Sequence, residues 1–289
     1  MMSEMTKNTL GTLYVVATPI GNLTDITLRA LDTLKSVDAI AAEDTRHTAG
    51  LLGHFAISKK LMAVHEHNEH QSAAKLLVQL QAGENIALVT DAGTPGISDP
   101  GAVVVNFLRQ AGIKVVPIPG VSAVVTALSV SGIVQNGFFF HGFLPASGAA
   151  RRQVLEGLKS QTVTLVFYEA PHRIVASLAD MAHVLGADRR VTIARELTKT
   201  FETVHTCFLS EAQAWLKADA NQQRGEFVLL VEAPPLKNQE EISEQTVRML
   251  TLLLAELPLK QAVKLAADIS REKKNSLYEL ALQLKQSEP

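Results

Sequence analysis

Glu43-Asp44-Thr45-Arg46-His47-Thr48 gathers two carboxylates, a guanidinium, an imidazole and two hydroxyls into six residues. Groups of these types take protons, hold phosphates or orient hydroxyls, so the stretch is a candidate for acid–base work. Its structural alternative is a solvated loop in which Asp44 or Thr45 caps a helix. Arg195-Glu196-Leu197-Thr198-Lys199 offers a similar set, and Glu169-Ala170-Pro171-His172-Arg173 another. His65-Glu66-His67-Asn68-Glu69-His70 invites a metal reading. A strand would align His65 with His67, whereas a helix would align His67 with His70. A strand-to-helix boundary capped by Asn68 divides them, so no metal site is expected. Asp91-Ala92-Gly93-Thr94-Pro95-Gly96-Ile97-Ser98-Asp99-Pro100-Gly101 is different in kind. Its three glycines let backbone approach a ligand or take positive φ, and its two prolines fix φ.

Each of these stretches sits where a strand should end. Residues 12–17, 39–42, 61–64, 86–90 and 114–118 read as buried strands. Between them helices are expected over 25–34, capped by Thr24 or Asp25, over 69–81 and over 102–110. Pro119-Gly120-Val121-Ser122-Ala123 then opens an apolar helix to about 131. The alternation predicts a mainly parallel, doubly wound sheet with its ligand loops at the carboxyl edge. An aromatic strand from Phe138 leads into a loop and then Arg151-Arg152. A second α/β unit follows, with strands 162–168, 190–194, 203–208 and 226–231 and helices 171–185 and 210–217. Ala233-Pro234-Pro235-Leu236-Lys237-Asn238 reads as a linker, and helical patterns over 240–256, 259–267 and 276–285 complete the chain. That last unit reads equally as a helix-turn-helix module or as a packing appendage. Expected domain limits are 1–118, 119–235 and 236–289.

The composition excludes several classes. One cysteine, Cys207, allows no internal disulfide and suits a reducing compartment. A formal net charge of −2 restricts any nucleic-acid contact to local patches. No apolar run is long enough to span a bilayer, and the N-terminus has no signal-peptide character, so a soluble cytoplasmic protein is expected. Neither G-x-G-x-x-G nor G-x-x-x-x-G-K-[ST] occurs in the first strand–turn–helix, which argues against NAD and ATP.

Val16-Ala17-Thr18-Pro19-Ile20-Gly21-Asn22-Leu23, Ala42–Arg46, the 91–101 loop, 117–120, Gly142-Phe143-Leu144-Pro145 and 194–199 together resemble the small-subunit ribosomal RNA methyltransferase I family. That family belongs to the tetrapyrrole-methylase-like class of S-adenosylmethionine enzymes. The resemblance runs in order from about Thr12 to Glu232. It implies an α/β fold of two domains with the cofactor in the cleft between them, the small all-α, helix-turn-helix-like domain being appended. It also implies a homodimer and 2′-O-methylation of a cytidine in the decoding region of 16S rRNA, in the small ribosomal subunit. The implied cofactor residues are Pro19, Asp91, Ala92, Gly93, Thr94, Ile97, Ser122 and Ala123, with Glu169, Leu197 and Val228 from the second domain. Glu43, Asp44 and Glu196 are candidate bases, and Arg46, Arg195 and Lys199 candidate phosphate or hydroxyl partners. Ala92-Gly93-Thr94-Pro95 departs from the Gly-Gly-Asp-Pro type of loop in the wider class. That favours RNA over a tetrapyrrole C-methyltransferase; a non-catalytic RNA-binding or ribosome-assembly protein is the third reading.

Overall fold

The computed structural model describes residues 10–65, 68–134, 137–234, 244–270 and 272–286, and divides into two compact units that meet at 233/234. Five apolar runs form the first sheet: β1 (Thr12–Val16), β2 (Ala39–Ala42), β3 (Lys60–Ala63), β4 (Ile86–Val89) and β5 (Lys114–Ile118). All neighbours are parallel, in the order β3-β2-β4-β1-β5. Strand periodicity divides β4 between two cores. Ile86 and Leu88 meet Leu76, Leu80, Val104 and Leu108 of α3 (Glu69–Gln81) and α4 (Ala102–Gln110). Ala87 and Val89 face Ala30, Leu34 and Leu52 of α1 (Leu28–Ser36) and α2 (Thr45–His54). The sheet is therefore doubly wound, as the alternation predicts.

One boundary differs. The helix expected from residue 25 is preceded by a separate 3-10 turn, Leu23–Asp25, because the Asn22 side chain accepts from the Thr24 N–H at 3.1 Å. α1 begins later, and Thr27 caps it by accepting from the Ala30 N–H at 3.1 Å.

The second sheet is mixed. β6 (Phe138–Phe143) pairs parallel with β7 (Thr164–Glu169), while β10 (Phe227–Val231) runs antiparallel between β7 and β8 (Arg190–Arg195), with β9 (Thr203–Phe208) at the edge. Val124 and Ala127 of α5 (Ala123–Val130) pack on one face, against Val166, Ala194, Val228 and Leu230. The other face is covered by α6 (Gly148–Leu158), α7 (Ile174–Leu185) and α8 (Leu209–Ala218). α6 replaces most of the loop expected just before Arg151-Arg152 and runs on through them. Its apolar stripe is thin, and much of its anchoring is ionic: Arg151 and Arg152 reach Asp180 of α7 at 2.6 and 3.0 Å.

The C-terminal unit consists of α9 (Glu244–Glu256), α10 (Leu259–Ser270) and α11 (Lys274–Gln286) around Leu250, Val263, Ala266, Leu277 and Ala281. Pro258 stands just before α10, where its carbonyl accepts from Gln261 and Ala262. Among the described residues no helix is long and apolar enough to cross a membrane.

Candidate functional site

Three turns at the carboxyl edge of the parallel sheet join into one floor. Thr18 after β1 and Gly93 after β4 exchange backbone hydrogen bonds at 2.9 and 3.0 Å. The Thr18 hydroxyl also donates to the Thr90 carbonyl at 3.1 Å. From the same loop the Thr94 hydroxyl donates to the Val121 carbonyl at 3.1 Å, which ties in the turn after β5. Glycine is required twice. Gly93 holds φ +85°, and a Cβ on Gly120 would lie 2.9 Å from the Ala17 Cβ.

The second sheet closes over this floor and leaves a cavity of about 320 Å³, at the lower end of the roughly 300–1,000 Å³ typical of small-molecule sites. Of the eleven expected cofactor residues, nine line it: Ala92, Gly93, Thr94, Ile97, Ser122, Ala123, Glu169, Leu197 and Val228. Pro19 does not, although its neighbour Ile20 does. Asp91 does not either; its Oδ1 accepts from the Asp44 N–H at 3.0 Å. Asp99, Phe143 and Tyr168 also line the cavity and stand outside the expected cofactor set. Asp99 lay within the glycine-rich loop, and the signal for Tyr168 was its place beside Glu169 at a strand end.

The charged candidates divide by what already holds them. Glu43 Oε2 accepts from the Thr90 hydroxyl at 2.5 Å and the Asp91 N–H at 3.3 Å, so it pins the root of the central loop. Asp44 caps α2 through the Arg46 N–H at 2.8 Å and pairs with the Arg46 guanidinium at 2.9 Å. Hydrogen bonds from Arg46 hold the Asp44 carboxyl down at about 2. The Arg46 side chain is itself 90% exposed. Glu196 receives Lys199 Nζ and the Glu226 N–H, each at 2.9 Å. Burial pulls the Glu196 carboxyl up, but these bonds outweigh it and leave the group below its ordinary value. Lys199 bridges to Glu226 at 2.8 Å, and a Cβ on Gly21 would lie 2.5 Å from its stem, so the two sheets' loops touch here. Positive φ at Glu196 (+51°) and Thr198 (+67°) marks the same turn as strained. Arg195 is buried, donating to the carbonyls of Arg224 and Phe201 at 2.7 and 3.0 Å.

Glu169 lines the cavity with its carboxylate fully engaged. Oε1 accepts from the Ala170 N–H and from Arg173 at 2.7–2.8 Å, and Oε2 from the Ser177 hydroxyl at 2.5 Å. It thus organises the start of α7. Burial, followed by the Glu43 charge, pushes the Asp99 carboxyl up to about 6. Burial likewise pushes the Tyr168 phenol up to about 12. Where the strand is expected to give way to a helix, the His65 backbone N–H donates to Asn68 Oδ1 at 2.9 Å, and His67 lies outside the described residues. Among the described residues no group of three or more His, Cys, Asp and Glu side chains is arranged to hold a metal ion.

Comparison with known proteins agrees with this architecture. The family described as Tetrapyrrole (Corrin/Porphyrin) Methylases matches residues 12–213, and the RsmI C-terminal HTH domain matches residues 240–285. The chain is 53% identical over 276 residues to the ribosomal RNA small subunit methyltransferase I of Escherichia coli O157:H7, covering 96% of each chain. It is 52% identical to the protein of that name from Pseudomonas aeruginosa, over 94% of this chain and 97% of the relative. Among solved structures, diphthine synthase aligns with a TM-score of 0.62 at 16% identity, over 78% of this chain and 92% of that one. Uroporphyrin-III C-methyl transferase from Thermus thermophilus, complexed with S-adenyl homocysteine, aligns with a TM-score of 0.55 at 19% identity, over 76% and 97%.

Proposed function

The chain belongs to the tetrapyrrole methylase family, in its ribosomal RNA small subunit methyltransferase I branch, and on that premise we propose that it methylates 16S rRNA with S-adenosylmethionine. The observation that carries this reading is the cavity where the turns after β1, β4 and β5 meet the second sheet. Its residues fit the cofactor. Ala92, Gly93, Ala123 and Ala194 keep side chains short along the walls, while Ile97, Leu197 and Val228 supply apolar surface for an adenine. The proton of the Thr94 hydroxyl is committed to Val121, so Thr94 faces a ligand as an acceptor. Bound there, the cofactor supplies an electrophilic methyl group.

The chain's own residues must place the acceptor and take its proton. The acceptor in this reading is the 2′-hydroxyl of a cytidine in the decoding region. Phe143, half exposed at the cavity wall with the Arg173 guanidinium 5.9 Å from its ring centroid, offers a face on which a base can stack. Arg46, although paired with Asp44, is 90% exposed and can turn to a phosphate, whereas Glu196 and Lys199 hold loops through their ion pairs. The remaining elements of the reading are a cytoplasmic homodimer, acting on the small ribosomal subunit, with domains 1–118, 119–235 and 236–289. Transfer of a labelled methyl group to small subunits, mapped to the nucleotide and to 2′-O, tests the reading. Labelling of a porphyrinoid instead would favour tetrapyrrole C-methylation, and cofactor binding without transfer to either would favour a non-catalytic RNA-binding role.

A further inference from the structure

Three carboxyl groups line the cavity, and cations hold two of them. Arg173 holds Glu169 at 2.7 Å and Lys199 holds Glu226 at 2.8 Å. Asp99 is the third, and among the described residues it forms no ion pair with a cation. The groups that face it are Glu43 at the end of β2, Thr90 and Asp91 after β4, and Tyr168 of β7. Three of these are acids, so none offers a compensating charge. Thr90 has one hydroxyl proton, and it points to Glu43 at 2.5 Å, which leaves little for Asp99. Burial and the neighbouring Glu43 charge accordingly raise the Asp99 carboxyl to about 6, inside the range in which a carboxylate at neutral pH is ionised and still basic. Asp44 and Glu196 are both held below the ordinary carboxylate range by cations and hydrogen bonds, and Glu43 does not line the cavity.

We propose that Asp99 is the general base that removes the proton from the acceptor hydroxyl, an assignment that rests on the methyltransferase reading above. The O–H bond breaks and its proton passes to the Asp99 carboxylate. The electron pair on that oxygen forms the new O–C bond, while the methyl–sulfur bond breaks with its pair left on sulfur. The positive charge on sulfur disappears, and one proton remains on Asp99 to be lost to solvent.

The test uses the full chain with small ribosomal subunits under single-turnover conditions, and compares wild type with Asp99→Asn and Asp99→Glu. The wild-type rate should fall about tenfold per pH unit below about 6. Asp99→Asn should lose about a hundredfold or more in rate and lose this acid limb. Its S-adenosylmethionine affinity by calorimetry should stay within about threefold of wild type, a difference of under 1 kcal/mol. Asp99→Glu should recover part of the rate. A carboxyl carbon NMR titration of the wild-type chain reads the group directly and does not depend on either variant folding. Titration of Asp99 below pH 4.5, or an Asp99→Asn rate equal to wild type, overturns the assignment alone. Loss of cofactor affinity in Asp99→Asn with an unchanged rate at saturation makes Asp99 a binding group and also overturns it. A wild-type chain that binds the cofactor but transfers no methyl to the subunit overturns the substrate reading and this assignment together.

Discussion

Asp99 should destabilise the fold where it is ionised. Its folded-state pKa lies near 6, above the ordinary 3.8. Its favourable contribution is therefore full below about pH 4 and lost as pH rises through about 6. Asp99→Asn should raise the melting temperature by about 2–4 °C at pH 8, corresponding to about 1 kcal/mol after allowing for solvent screening of a half-buried group. At pH 4 the two proteins should melt together, and melting curves at the two pH values check this. Phe143 carries the second prediction at this scale. A half-exposed aromatic on a cavity wall gains little from folding but offers a stacking face. Phe143→Ala should weaken binding of small subunits roughly tenfold, by about 1–2 kcal/mol, and leave cofactor affinity unchanged. Filter binding and calorimetry read the two effects separately. Residue types showed which groups could do chemistry here, but not which were already held. Asp44 and Glu196 carry the chemistry of a base, and their partners Arg46 and Lys199 are near in sequence, but ion-pair geometry is decided by the turn that folds around them.

The first sheet was readable because each of its strands is a short apolar run ended by turn chemistry, and parallel strands buried on both faces must look that way. Its ligand edge followed from topology, and the 91–101 loop stands there as expected. The second sheet was less legible. Its strands could be placed, but their mixed directions depend on pairings between residues far apart in sequence, such as Phe227 with both Glu169 and Arg195. α6 is not legible in the sequence because Gly148-Ala149-Ala150-Arg151-Arg152 lacks an apolar stripe, and its anchor, Asp180, lies in another helix. The prediction that belongs to this scale concerns Gly93. A Cβ there would meet only ordinary contacts, the nearest being Ile20 at 3.6 Å, so space is not what excludes a side chain. The φ of +85° is. Gly93→Ala should cost about 1–2 kcal/mol of stability by straining the loop. It should also weaken S-adenosylmethionine binding, because Gly93 carries both hydrogen bonds to Thr18 that join the first and second turns. An alanine variant with wild-type melting temperature and cofactor affinity would refute this account of the loop.

At the scale of the whole chain, the cavity-bearing unit and the C-terminal unit have separate cores. The described residues that line the cavity run from Ile20 to Val228, and the helical unit has its own cluster around Leu250, Val263 and Leu277. Lys and Arg balance Asp and Glu at 8 to 8 from residue 236 to 289, yet from 258 to 274 they lead 5 to 2. Lys260 and Lys264 lie on α10, Lys273 stands just before α11 and Lys274 begins it, and Arg271 is outside the described residues. A local excess of +3, in a unit that is neutral as a whole and carries −3 over its other residues, would suit a phosphate contact surface. Cutting the chain after Asn238 should therefore leave S-adenosylmethionine affinity unchanged. It should lower affinity for small subunits and flatten the dependence of log K on log salt by about 2–3, since each phosphate contact contributes somewhat less than one unit to that slope. Titrations at several salt concentrations, with the full chain as reference, measure both quantities. Were the helices only a packing appendage, loss of affinity would appear without a change in slope, because lost apolar contact releases no counterions. An unchanged slope in the truncated chain would thus exclude the phosphate contact even if binding weakened.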